Sequence, residues 1–306
     1  MKDLQAHGKL LISAEYMILH GSEALALPMN LGQSLRRIES DHRTRFTWNA
    51  YHGSDLWFSA HINPSTLAIL ETTNQEKAEH LQEILRACIV MNPIFQQELF
   101  ARDVETRLDF SPSWGFGSSS TLTALMAQWA EIDPLGLHFM ISEGSGYDVA
   151  CAIADRSIVY RLLDDGPHYQ PVSFSPPFSD QLYFVWLGSK QPTAIHLTEL
   201  AGQLRPNDED IGHFSALTRG MLKAKELSNF QLLMEEHEAK LSELIRLERV
   251  SETRFPGLQG SVKSLGAWGG DFVMIASEQD AETLFSYLDE LGLTSRFRYN
   301  DLVYDA

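Results

Sequence analysis

Ser111-Pro112-Ser113-Trp114-Gly115-Phe116-Gly117-Ser118-Ser119-Ser120, followed by Leu122, Leu125, Met126 and Trp129, is the stretch that decides how this chain reads. Glycines, then hydroxyls, then apolar residues at helical spacing describe a loop that opens a helix. Glycine lets the backbone approach an anion closely, and the free N–H groups of the following helix, reinforced by its dipole, give that anion a positive partial charge. The same residue types also cap helices, and both roles are open. The loop points to phosphate chemistry.

Working outward, Val104, Thr106, Leu108 and Phe110 form one face of a strand that delivers the chain into the loop. Glu76 to Met91 ahead of it has the period of an amphipathic helix. Lys9 to Ser13, Glu23 to Leu27, Arg45 to Trp48 and Leu56 to Ile62 read as strands. The loop helix runs to about Glu131, and Asp133-Pro134 reads as an N-cap with proline in the first turn of a short helix ending near Ser142. Ser157 to Leu163 is a further strand. Turn formers then cluster at Asp164-Asp165-Gly166-Pro167 and Ser173 to Pro177, which marks a domain boundary. Beyond it, Leu182 to Leu187 and Phe272 to Ala276 read as strands, with helices over Phe214 to Leu227, Phe230 to Leu247 and Ala281 to Leu291. This predicts an α+β protein of two domains, 1–165 and 178–306, the second a small sheet with helices on one face.

Composition fits an enzyme of that size. The 306 residues, 44% of them hydrophobic, can bury a large core. A net charge of -17 argues against nucleic acid or an anionic membrane as partner, so an anionic substrate must be met by locally placed cations. Two cysteines, Cys88 and Cys151, make no disulfide framework and suit a reducing compartment. No secretory leader is read before Lys2-Asp3, and no apolar run approaches the ~20 residues of a membrane span. A soluble, cytoplasmic protein acting on a small molecule is expected, with a homodimer left open.

Three further segments join the loop. His7-Gly8-Lys9-Leu10-Leu11-Ile12-Ser13-Ala14-Glu15-Tyr16-Met17-Ile18-Leu19-His20-Gly21 resembles the first signature of the GHMP small-molecule kinases, among them galactose, homoserine, mevalonate and phosphomevalonate kinases. Pro112 to Ser120 resembles the second signature. Gly144-Ser145-Gly146-Tyr147-Asp148-Val149-Ala150 is similar to the segment that carries the family's catalytic aspartate, and Lys263-Ser264-Leu265-Gly266-Ala267-Trp268-Gly269-Gly270-Asp271-Phe272 to the third signature. The four fall in the family's order along nearly the whole chain.

The resemblance implies a ribosomal-S5-like N-terminal domain, a ferredoxin-like C-terminal domain, an active site in the cleft between them, and ATP with Mg²⁺ as cofactors. Pro112, Ser113, Trp114, Gly115, Phe116, Gly117, Ser118, Ser119 and Ser120 would hold the nucleotide phosphates. Asp148 would be the catalytic base, with Lys9 beside it. Phosphoryl transfer needs positioning, charge neutralisation and a proton acceptor rather than covalent help. Glu15, Gly146, Lys190, His237, Lys263 and Gly266 are the candidates for contact with the acceptor, and Lys190 and Lys263 are the cations expected to meet its anionic group. Ser119 and Glu143 are the candidate Mg²⁺ ligands.

Four positions depart from the family pattern: Ser113 and Ala14 replace glycines, Trp268 replaces a glycine of the third loop, and Leu137 stands where relatives carry an acidic metal ligand. Leu182 to Thr193 resembles a tryptophan-containing strand and turn of phosphomevalonate kinases. The expected activity is therefore ATP-dependent phosphorylation of phosphomevalonate or mevalonate. Trp268 and Leu137 keep open a catalytically silent nucleotide-binding relative, and the related diphosphomevalonate decarboxylase is the other alternative.

Overall fold

The computed structural model of the protein describes residues 2–40, 44–188, 204–266, 268 and 272–305. It has strands β1 (Leu4–Leu11), β2 (Ala24–Glu39), β3 (Phe46–His52), β4 (Asp55–Ile62) and β5 (Ile69–Thr72), then helices α1 (Gln75–Met91) and α2 (Glu98–Ala101). Strand β6 (Arg102–Leu108) leads to helices α3 (Ser118–Ala130), α4 (Pro134–Ile141) and α5 (Tyr147–Ala152), and then to strands β7 (Ile158–Leu163), β8 (Gly166–Pro171) and β9 (Leu182–Trp186). The chain continues through α6 (Asp208–Lys223), α7 (Leu227–Ile245), α8 (Val250–Arg254), β10 (Ser261–Leu265), β11 (Phe272–Ala276), α9 (Ala281–Glu290), β12 (Arg296–Arg298) and α10 (Tyr299–Leu302). Among the described residues no helix is long and apolar enough to cross a membrane.

The residues form two compact units. The first holds the chain up to Gly8, Leu31–Pro112 and Phe116–Ile153. Its strands pair in the order β5, β4, β3, β6 and the second half of β2, with β3 and β6 parallel at Trp48↔Val104. Period-two alternation places Phe46, Trp48 and Ala50 of β3 and Phe58, Ala60 and Ile62 of β4 on one face. Against them pack Ala78, Leu81, Ile84, Leu85 and Cys88 of α1, spaced at three and four residues, and Ala124 to Ala127 of α3. Trp129 closes this core edge-on to Phe95, ring centroids 4.8 Å apart. Each ring buried this way contributes about 1.5–3 kcal/mol of transfer free energy.

The second unit holds Lys9–Asn30, Ser113–Gly115 and Ala154 onward. Here the first half of β2 pairs with β7, at Ala24↔Tyr160, and β7 with β8. A separate antiparallel sheet runs β10, β11, β9, β12. In chain order, strand, helices, two strands, helix and strand take the spatial order second, third, first, fourth, which is the ferredoxin-like arrangement. One face of this sheet, with Tyr183, Val185, Val273 and Ile275, packs on Val250 of α8 and Leu284 and Leu288 of α9. The other face presents Phe184, which stacks on Tyr299 of α10, and Phe174 bridges Tyr299 to Phe230 of α7. Helices therefore lie on both faces, where one was expected.

The α+β class is as expected, but the division differs from a single cut between 165 and 178. Lys9–Asn30 groups with the C-terminal residues because its polar groups find partners there: Ser13 Oγ lies 2.8 Å from Thr218 Oγ1, and Ser22 Oγ 3.2 Å from Ser215 Oγ. The turn at Asp164 to Pro167 is a hairpin, with Gly166 at φ 121°, rather than a boundary.

Candidate active site

Helix α3 begins differently from α1, α4, α6 and α9. Asn74, Asp133, Asn207 and Asp280 cap α1, α4, α6 and α9 with side-chain acceptors. The N-cap of α3 is Gly117, at φ 89°, which supplies no side-chain acceptor, and the first turn holds no acidic residue. Gly115, at φ 70°, precedes it in the same left-handed region. The serines do not act as the cap: Ser120 Oγ donates back to Gly117 O at 2.9 Å. The N–H groups of Ser118 to Ser120 are thus left to an external acceptor, and the dipole favours an anionic one. Ser118 is partly exposed and Ser119 exposed.

Asp148 lies in the first turn of α5, after the N-cap Gly146 at φ 80°. It is half-buried, and its Oδ1 accepts from Val149 N at 3.0 Å. Gly146 serves as the turn residue that presents this carboxylate. Glu143 is exposed in the preceding loop.

In the second unit, Lys9 Nζ donates to Gly115 O at 3.1 Å. Lys9, Leu10, Leu11, Trp114, Gly115, Leu265, Gly266 and Phe272 line a cavity of about 110 Å³. Trp114 is fixed by the rings of Phe297, Phe272 and Trp186, at centroid distances of 5.3, 6.2 and 6.4 Å. This aromatic anchoring explains why Ser113–Gly115 groups with the sheet of β9 to β12. Gly266, at φ 79°, lines the same cavity.

Glu15, His237 and Lys263 meet, but away from solvent. Lys263 and His237 are fully buried, and Glu15 and Glu238 nearly so. Lys263 Nζ donates to Glu15 Oε1 at 2.6 Å and to Ser264 O at 3.0 Å, and lies 3.7 Å from Glu238 Oε1. His237 Nε2 accepts from Ala14 N at 2.9 Å and sits 3.3 Å from Glu15 Oε2. Burial pushes the Glu15 carboxyl up while Lys263 holds it down, and burial drives His237 well below the ordinary imidazole value. The expectation that Lys263 receives an acceptor's anion is corrected here: its ammonium is shut from solvent and committed to Glu15. Lys190 lies outside the described residues.

The departures from the family pattern find physical accounts. Ala14 adopts φ 62° and Tyr16 φ 61°, so alanine stands where glycine would be unstrained, at a cost of about 1–2 kcal/mol. Trp268 is buried, its N donates to Tyr16 Oη at 2.7 Å and its Nε1 to Glu248 O at 3.0 Å. Leu137 is wholly buried in the first unit's core.

One feature of the first unit escaped the sequence reading. A cavity of about 230 Å³ is lined by Trp48, Trp57, Phe58, Leu81 and Leu122, with Gln33, Glu76, Lys77, His80 and Thr106, and reaches Ser118 and Ser119 at the start of α3. Lys77 Nζ lies 5.6 Å from the Trp57 ring centre, and His80 Nε2 3.4 Å from Ser119 Oγ. The Trp57 indole N–H is buried and has no hydrogen-bond partner among the described residues. Its lining comes from β2, β3, β4, α1, β6 and α3, so no local pattern announces it.

No family model and no curated protein matches the chain. Solved structures do. Streptococcus pneumoniae phosphomevalonate kinase, in complex with phosphomevalonate and AMPPNP, superposes with a TM-score of 0.71 at 17% identity, covering 97% of this chain and 100% of that one. L. major mevalonate kinase in complex with R-mevalonate gives 0.67 at 14%, covering 100% and 96%. Lactococcus lactis galactokinase complexed with galactose gives 0.61 at 11%, covering 99% and 93%. The chain therefore has the two-domain α+β fold that these small-molecule kinases share.

Proposed function

We propose that the protein is an ATP-dependent small-molecule kinase whose acceptor is phosphomevalonate or mevalonate. The observation that carries the reading is the aromatic cavity that opens onto the uncapped N-terminus of α3. An aromatic-lined cavity next to a cluster of backbone N–H donors suits a nucleoside base continuous with its phosphates. The base lies against the Trp57 ring, and the phosphates meet the N–H groups of Ser118 to Ser120. The fold shared with kinases that bind AMPPNP, phosphomevalonate or R-mevalonate supports the choice of nucleotide and acceptor.

Asp148 accepts or orients the proton of the acceptor hydroxyl, and Lys9 offsets charge developing on the transferred phosphoryl group. Mg²⁺ fits a site of this kind, because it usually keeps waters and substrate phosphates and takes few protein oxygens. The exposed hydroxyl of Ser119 is the donor that would hold it. When bound, the ion neutralises phosphate charge. With Lys263 committed to Glu15, Lys190 is the candidate cation for the acceptor's anionic group.

Calorimetric titration tests the nucleotide site. Base–aromatic stacking is worth about 1–3 kcal/mol, so Trp57→Ala should weaken ATP binding by roughly tenfold or more. Its melting temperature should fall only slightly, since Trp57 is partly exposed. Equal ATP affinity in the wild type and the variant contradicts the placement of the base.

A further inference from the structure

The buried cluster of Glu15, His237, Glu238 and Lys263 does not balance its charges. It contains two carboxylates and one ammonium, each almost without solvent contact. His237 does not supply the missing positive charge: its Nε2 accepts the Ala14 N–H, so that nitrogen carries no proton and the ring is neutral with its proton on Nδ1. A net negative charge in such a place is costly, and a buried carboxylate in excess takes a proton instead.

Geometry says which one. Glu15 Oε1 receives Lys263 Nζ at 2.6 Å, a charge-assisted contact that favours the ionised form. Glu238 is farther from the ammonium, 3.7 Å from Oε1, and neither of its oxygens has a hydrogen-bond partner among the described residues. His237 Nδ1 stands 4.0 Å from the same oxygen. The other groups facing Glu238 do not compensate it. Ser264 faces the carboxyl and holds it down, but by less than burial raises it. Tyr16 is neutral, its hydroxyl pushed up to about 12 by burial. Arg249, the residue ahead of α8, is already paired with Glu235 at 2.9 Å and Glu252 at 2.6 Å. His213 is near His237 rather than Glu238, and pairs with Glu236 at 3.4 Å.

We propose that the folded protein stores one proton on the Glu238 carboxyl, and that this proton makes the packing behind the strained Ala14–Tyr16 turn sensitive to pH. The turn is held from this side by the His237 acceptor and the Glu15–Lys263 pair, so a second negative charge beside Lys263 competes with Glu15 for the one ammonium. The inference stands on the cluster alone and does not depend on the proposed activity.

The direction of the pH effect follows from proton binding. Burial pushes the Glu238 carboxyl from its ordinary 4.5 up to about 7. Below the ordinary value the folded and unfolded chains both carry the proton, and the folded state keeps its full stability. As pH rises from there to about 7 the folded chain binds more protons than the unfolded one, so stability falls. Above that the loss is complete and the curve levels.

Glu238→Gln keeps the shape of the protonated acid and removes the titration. Between pH 5 and pH 8 the wild-type melting temperature should fall by several degrees relative to the variant, with the variant the more stable of the two at pH 8. A gap that stays constant across that range overturns the proposal. Infrared spectroscopy of the native protein at pH 6 gives a readout that does not require the variant to fold well. A buried protonated-carboxyl band should appear in the wild type and disappear in Glu238→Gln. Absence of the band from the wild type, or its persistence in Glu238→Gln, also overturns the proposal.

Discussion

Asp148→Asn should lower kcat by roughly 10²–10⁴, the range for loss of a general base, while the melting temperature moves by no more than a few degrees. The small structural effect follows from the position of Asp148. The N-cap of α5 is Gly146, so Asp148 does not cap the helix, and its Oδ1 accepts from the adjacent Val149 N. A carboxylate in a first turn is worth about 0.3–1 kcal/mol through the helix dipole. The large kinetic effect follows from removing the one negative charge presented after the Gly144-Ser145-Gly146 turn, under the proposed reaction. Steady-state kinetics on the variant, with substrate affinities measured in parallel, separates the roles. Near-normal turnover removes Asp148 from the mechanism.

Lys263→Met should cost about 3–5 kcal/mol of stability, the usual penalty for deleting one partner of a buried ion pair. For a chain of this size that is a fall in melting temperature of roughly 5–8 °C. Methionine fills the aliphatic part of the space but leaves the Glu15 carboxyl buried with no cation at 2.6 Å. The loss should be smaller in acid, because Glu15 then takes a proton and no bare charge remains. Thermal melts at two pH values decide the question. An unchanged melting temperature with a raised acceptor KM would return Lys263 to substrate binding.

How far the sequence could be read depended on whether a residue's partners are local. Helix α1 was legible almost to its ends because the spacing of Ala78, Leu81, Ile84, Leu85 and Cys88 repeats on one face and Asn74 caps it. The loop that opens α3 was legible because Gly115, Gly117 and Ser118 to Ser120 lie within six residues, just ahead of an apolar run at helical spacing. Strand β8 was not, since Asp164-Asp165-Gly166-Pro167 has the composition of a linker and only its pairing with β7 makes it a hairpin. Strand β10 was missed for a related reason. Lysine in Ser261-Val262-Lys263-Ser264-Leu265 looks solvent-facing, yet all five residues are buried and the lysine's partner is Glu15, near the other end of the chain. The aromatic cavity draws Trp48, Trp57, His80 and Leu122 from four separate elements, and nothing in the local sequence ties them together. Trp268 is the opposite case: a ring standing where the resemblance expects glycine finds a buried place with both its N–H groups bonded.

Under the proposed function the chain transfers a phosphoryl group from ATP to a small metabolite. The most direct measurement is ADP formation from ATP and Mg²⁺ in the presence of mevalonate, phosphomevalonate, homoserine or a sugar, with released CO₂ monitored in the same reactions and diphosphomevalonate as a control. The account predicts ADP formation that depends on mevalonate or phosphomevalonate, one phosphorylated product per ADP, and no CO₂. ATP binding with no ADP from any acceptor, or CO₂ release with diphosphomevalonate, would contradict it.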